Sequence, residues 1–218
     1  MALEVVTNDA SALSEEELEE LAGMEETFDL ATLTQAQEDW VLITTGRFGN
    51  SLHGFTFSTL ERIGGTPCVL IGLMSVKRSS KRDQVLRGLM GEAYHRALMA
   101  FPDEDVVVGS RFVNADARVA FKDLQDMNPL PDVRPGGEER AWGRRLAKRF
   151  GIDKKYDAKT FTASTAAQSG FLDFESDDTS KLDGDLVEMM SAVPAGKGGA
   201  MVVYGWTMAE DLVKLGKR

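Results

Sequence analysis

A chain of 218 residues with 43% hydrophobic content can bury the core of one large domain, or of one domain with an appendage; its 25 Lys+Arg stand against 35 Asp+Glu, a formal net charge of -10. That acidic balance argues against broad nucleic-acid or anionic-membrane binding, which needs a basic face that releases counterions from phosphates. No stretch reaches the roughly 18 apolar residues of a membrane span, and "MALEVVTNDASALSEEELEE" has neither the cationic start nor the apolar run of a signal peptide, so the chain reads as cytoplasmic.

In chain order, "LEVVTN" at residues 3 to 8 predicts a first strand, and Leu13, Leu18, Leu21 and Met24 then share one helical face behind a Ser14/Glu17 capping box. A short helical piece is expected around residues 32 to 38. "DWVLITTG" and "SLHGFTFSTLERI" read as a hairpin across "RFGN", whose Gly49 and Asn50 tolerate positive φ. In the second strand His53, Phe55, Phe57, Thr59 and Glu61 fall on one face, so His53 reads as a strand-face residue before it reads as a ligand. Two histidines and one cysteine cannot complete a His/Cys metal set with familiar spacing, and no metal is expected. The nearly unbroken apolar run "CVLIGLMSV" predicts a central strand covered on both faces, with Cys68 as a buried thiol.

Downstream, Val85, Leu86, Leu89, Met90, Ala93, Tyr94, Ala97, Leu98 and Phe101 repeat at helical spacing. "DVVVGSRFV" supplies a strand, and "NADARVAFKDLQDM" a helix capped by Asn114 or Asp116. After the turn-rich "NPLPDVRPGG", a helix over 138–150 places Trp142, Leu146 and Phe150 on one face and its basic residues in water. Residues 153 to 199 are loop-like, with weak strands at "KTFTAS" and "GFLDF" and a short helix at "LVEMMSAV"; a strand over 200–207 and a closing helix end the chain. The layout is α/β (α+β) with a mixed sheet: a core over 1–127 and a C-terminal extension over 128–218 packed on the same domain.

Between Lys77 and Arg87 stand five basic residues with only Asp83 against them, counter to the charge of the whole chain. Ser80 can cap a helix starting near Lys81, which would present free amides and a positive dipole end to an anion. A loop whose side chains simply point into water explains the same charges equally well.

The order strand, helix, three strands, helix, strand, helix resembles the GNAT superfamily of N-acetyltransferases over roughly residues 3 to 127. "LMSVKRSSKRDQVLRGLM" looks like that family's acyl-CoA segment, with Val76 closing the central strand and Lys81 or Arg82 in the basic position. "NADARVAFKDL" is similar to a second family segment, with Asn114, Ala117 and Leu124 in register. Val85 and Arg87 stand where the family has small residues, and Phe121 where it often has a Tyr that protonates the departing thiolate. The resemblance implies a mostly antiparallel GNAT-like sheet flanked by helices and acetyl-CoA or another acyl-CoA as co-substrate. Met74, Val76, Lys81, Arg82, Asp83, Gln84, Val85, Arg87 and Asn114 would hold that co-substrate. The Met74 amide would polarise the thioester carbonyl, and Glu61, then His53 and Ser75, are the candidate bases. The acceptor would be a primary amine on a small molecule or a protein, and a homodimer is compatible with the pattern. The rival is a GNAT-like binding module without catalysis; a weaker one is nucleic-acid modification through the basic loop and helix 138–150. An open cleft between the central strands would favour the enzyme, and a cleft filled by Val85, Arg87 or the C-terminal part the module.

Overall fold

The computed structural model describes residues 1–164, 170–178, 182–191, 193 and 198–216. Strand β1 (Leu3–Asp9) leads to α1 (Glu15–Gly23), where Ser14 Oγ accepts from the Glu17 N–H at 3.2 Å and the Glu17 carboxylate accepts from the Ser14 N–H at 2.9 Å. This is the expected capping box. Helix α2 (Leu30–Asp39) follows, capped by Asp29, whose carboxylate accepts from the Thr32 N–H at 2.8 Å. The hairpin of β2 (Leu42–Phe48) and β3 (Ser51–Ile63) turns through Gly49 at φ +60°, a conformation that costs glycine nothing.

Central strand β4 (Thr66–Val76) is buried from Pro67 to Val76, because helices cover both of its faces. On one side α3 (Arg82–Ala100) seats Val85 and Leu89 against Gly54; on the other Trp40 lies against Gly72. The Cys68 thiol is wholly buried, donates to the Thr66 carbonyl at 3.4 Å, and has its pKa pushed up to about 11, chiefly by burial. Since the thiolate is the reactive form, Cys68 is expected to resist alkylation in the native chain and to react once the chain is unfolded. Intact-mass measurement with and without denaturant reads this directly; rapid native labelling would contradict it.

Strand β5 (Val106–Phe112) is followed by a 3-10 helix, Ala115–Phe121, and by β6 (Gln125–Asn128), where the sequence predicted one continuous α-helix. The i to i+3 bond from the Leu124 N–H to the Phe121 carbonyl tightens the turn, and β6 is claimed by a neighbouring strand. Helix α4 (Gly137–Arg149) buries Trp142 and Leu146 and leaves Arg144 and Arg145 in water, as its pattern predicted, whereas Arg149 departs from it by turning in to Glu61 and the Trp40 ring. The weak strand candidates are β8 (Thr162–Ala163) and β9 (Leu172–Asp173), with β7 (Tyr156–Asp157) preceding them. Helix α5 (Gly184–Ser191), β10 (Ala200–Thr207) and α6 (Ala209–Leu215) complete the described chain.

All described strands join one mixed, mostly antiparallel sheet in the order β1-β2-β3-β4-β9-β5-β10-β8-β7, with β6 on β10. The C-terminal part therefore adds four strands to the sheet begun by the N-terminal part, and β9 enters its centre.

Candidate active site

The parallel pair β4–β5 is in register from Cys68 opposite Val107 to Leu70 opposite Gly109, and then the strands part. Their divergence begins at a bulge. On β3, Phe57 faces Leu73 while the adjacent Ser58 faces Ile71, which leaves Gly72 as the extra residue of β4. A bulge bends its strand and sharpens the twist. Gly72 is required there, since a Cβ would come within 2.0 Å of the Trp40 ring. Arg111, fully buried on β5, donates from Nη2 to the Gly72 carbonyl and lies 4.7 Å over the Phe150 ring. Burial, with Arg149 nearby, pulls its pKa down to about 9. The Ser110 hydroxyl donates to the Ile71 carbonyl at 3.0 Å, so the last point of contact between the strands is stitched by side chains as well as by the ladder.

Beyond that point the gap is occupied by the chain itself. Leu172 pairs with Met74 on one side and Phe112 on the other, and Asp173 pairs with Ser75, all parallel. The Met74 N–H donates to the Phe171 carbonyl at 3.1 Å. Asp173, 4% exposed, accepts from Arg78 through both oxygens at 2.7 and 2.6 Å, from Thr27 at 2.7 Å and from Ser75 at 3.0 Å. A bidentate pair with two further donors is a fully satisfied buried carboxylate. This contact raises the Arg78 pKa above its already high ordinary value. Further out, Asn114 Nδ2 donates to the Phe174 carbonyl at 3.2 Å and the Ser176 N–H donates to Asp116 at 2.8 Å. Arg82 donates to the Glu175 carbonyl at 3.0 Å and meets the Asp177 carboxylate at 2.8 Å.

The basic loop is thus neither merely solvated nor open to an outside anion. Arg78 and Arg82 are met by Asp173, Glu175 and Asp177, and Lys81 Nζ sits 4.0 Å over the Phe48 ring. The predicted cap shifts too: the helix begins at Arg82 with Lys81 as N-cap and no side-chain cap bond, so Ser80 does not cap it. The amides of Lys81, Arg82, Gln84 and Val85 are all bonded within the turn, to Ser79 or to the Lys81 carbonyl, because the entry to α3 winds tightly.

Of the predicted site residues, Met74, Ser75, Arg82 and Asn114 converge on the gap, Val76 closes β4 opposite Gly54, Asp83 and Gln84 lie exposed on the first turn of α3, and Arg87 is exposed one turn further on. Val85 points away, buried between Gly46 and Gly54, so neither it nor Arg87 fills the cleft; the C-terminal part does, through Leu172 and Asp173, which is the arrangement expected of the binding module. His53 pairs with neither Met74 nor Ser75; it stands past Val76, its ring edge-on to Phe48 at 5.0 Å, and burial, then Lys77 and Lys81, lower its pKa. Glu61 lies opposite Cys68, about 20 Å from Met74 along β4 at roughly 3.3 Å per residue. Its carboxylate accepts from Arg149 at 2.8 and 2.9 Å. Phe121 is buried, 5.2 Å from the Phe112 ring.

Sequence reasoning did not single out Arg78, Thr27, Trp40, Arg111 or Asp173. For Asp173 a signal existed: a carboxylate set between Leu172 and Phe174 in a short apolar run needs a buried donor.

No family model matches the chain, and no curated protein matches its sequence. Among solved structures it is similar to ElaA of Escherichia coli, at 17% identity and a TM-score of 0.41, over 62% of this chain and 95% of that one. It is also similar to the ribosomal-protein-S18-alanine N-acetyltransferase of Escherichia coli, at 14% identity and a TM-score of 0.39, over 62% of this chain and 86% of that one.

Proposed function

We propose that this chain is an acyl-CoA-dependent N-acyltransferase that moves an acetyl or other acyl group to a primary amine, and that its site is the gap between β4 and β5. The observation that carries the reading is the parting of two parallel strands next to the cationic entry of α3: a gap, filled in this structure by Phe171–Asp177, with the Met74 N–H on its wall and Arg78 and Arg82 at its mouth. Coenzyme A is an extended amide-bearing arm ending in a diphosphate, and guanidinium pairs suit that end.

In the reaction the amine nitrogen bonds to the acyl carbon, the carbon–sulfur bond breaks, and the amine proton passes to a base. The Met74 N–H stabilises the developing oxyanion. His53, whose pKa is lowered by burial and then by Lys77 and Lys81, is the candidate base for that proton. The proton taken up by the base is the one that neutralises the departing CoA thiolate, directly or through water, a part Phe121 cannot play; Ser75 Oγ, wholly buried, donates to Asp173. Glu61, about 20 Å along the sheet from Met74 and bonded to Arg149, is too far away to serve as base.

A second reading, a GNAT-like binding module without catalysis, is favoured by one specific observation: the C-terminal segment fills the gap, Leu172 pairing with Met74 and Phe112 and the Phe171 carbonyl taking the Met74 N–H. Calorimetric titration with acetyl-CoA and with CoA separates the two. The enzyme reading expects saturable heat from the wild-type chain or from a Glu175→Gln/Asp177→Asn variant, which loosens the occupant of the groove. Arg82→Glu is expected to weaken that binding at least about tenfold, a like charge having replaced a diphosphate partner. No heat from either chain up to millimolar ligand favours the module and ends the enzyme reading.

A further inference from the structure

We propose that residues Phe171–Asp177 are a built-in competitor for the groove: a self-strand that closes the acyl-CoA site and must withdraw before the co-substrate can enter. The inference rests on the acyl-CoA reading above and adds its regulation.

The segment supplies, from the chain's own residues, what such a ligand would bring. Along the wall it presents an extended backbone whose Phe171 carbonyl takes the Met74 N–H at 3.1 Å. At the mouth, alternate residues Asp173, Glu175 and Asp177 deliver carboxylates to Arg78 and Arg82. Leu172 already fills the space between Met74 and Phe112, and two acceptors cannot share the Met74 amide along the same line, while at the mouth an incoming diphosphate has to displace the carboxylates from Arg78 and Arg82. Occupancy is therefore exclusive.

The grip is graded along the segment. Its inner part is firm, with Leu172 and Phe174 wholly buried and Asp173 at 4% exposure. The outer part is held by Arg82 on the Glu175 carbonyl, by Asp116 on the Ser176 N–H, and by side chains that are 57% exposed at Glu175 and 54% at Asp177. Exposed pairs of this kind contribute little and exchange readily with water. Only Leu172 and Asp173 belong to the ladder, against the whole length of β10 on β5. The segment can therefore peel from its outer end, where an incoming diphosphate would meet Arg82 first. A ligand that needs the open form binds more weakly by the fraction of chains that are open. Loosening the closed form raises its apparent affinity.

The test compares CoA affinity in the full-length wild-type chain, in Asp173→Asn and in Glu175→Gln/Asp177→Asn, with hydrogen exchange over residues 171–177 followed with and without CoA. The second variant alters only exposed carboxylates, so it stays informative should Asp173→Asn fail to fold. Expected are an affinity gain of about tenfold for Asp173→Asn and roughly threefold for the double variant, together with faster exchange at 171–177 when CoA is added. Equal or weaker CoA binding in both variants, with 171–177 still protected at saturating CoA, overturns the competitor and leaves the acyl-CoA reading standing. No binding to any of the three chains overturns both.

Discussion

Asp173→Ala is expected to lower stability by about 2–4 kcal/mol, among the largest losses from any single side chain in the cleft. The carboxylate is 4% exposed and takes donors from three separate parts of the chain: Arg78 after β4, Ser75 within β4 and Thr27 before α2. Removing it leaves two hydroxyls short of an acceptor and a guanidinium whose remaining carboxylates stand at 3.3 Å (Glu175) and 3.9 Å (Glu25). Arg78 is 29% exposed, so water recovers part of its solvation, which keeps the estimate below that for a wholly buried pair. Asp173→Asn keeps an acceptor and should lose about half as much. Glu175→Ala, one exposed contact, should stay within about 0.5 kcal/mol of wild type. Urea denaturation of the three variants measures the order, and equal midpoints for Asp173→Ala and Glu175→Ala would refute it. If the self-strand opens ahead of global unfolding, the loss has a ceiling: once the open form is the ground state, further weakening of the closed one no longer lowers stability.

That one carboxylate also shows where the sequence stops being readable. Periodicity and capping are local, so α1 with its Ser14/Glu17 box, the β2–β3 hairpin and the apolar β4 could be read from spacing alone. Val85 belonged to the α3 stripe together with Leu86 and Leu89, and the stripe correctly implied that it faces the core rather than the groove. The 3-10 helix at Ala115–Phe121 was read as an α-helix because apolar positions three and four apart fit both, and the demand of β10 for a neighbouring strand is a tertiary matter. The charge of the basic loop posed a choice between water and an outside phosphate. Its actual partners lie 95 residues away at Asp173 and Asp177, and no period links positions so distant. Likewise the parting of β4 from β5 depends on which strand residue bulges, and that is decided by what packs beneath it.

What packs beneath it is Trp40, which makes Gly72→Ala the second large effect: a loss of about 3 kcal/mol from overpacking. The added Cβ would lie 2.0, 2.3 and 2.4 Å from three atoms of the indole, closer than any real contact. The ring has little room to retreat. It is 6% exposed, with the Arg149 guanidinium 4.8 Å over it and Phe150 at 6.2 Å. Relief must come from moving α4 outward or from shifting β4, and a shift of β4 moves the Met74 N–H as well. Trp40→Leu alone should cost about 2–4 kcal/mol through its cavity. In combination the cavity accommodates the methyl, so the double variant is expected to be more stable than the sum of the two losses by at least about 1 kcal/mol. Gly184→Ala, where a Cβ would meet nothing within 4 Å, serves as the control and should be close to neutral. Chemical denaturation of the four chains gives the coupling energy. Strict additivity would mean that Gly72 answers to the bulge geometry of β4 and not to the tryptophan beneath it.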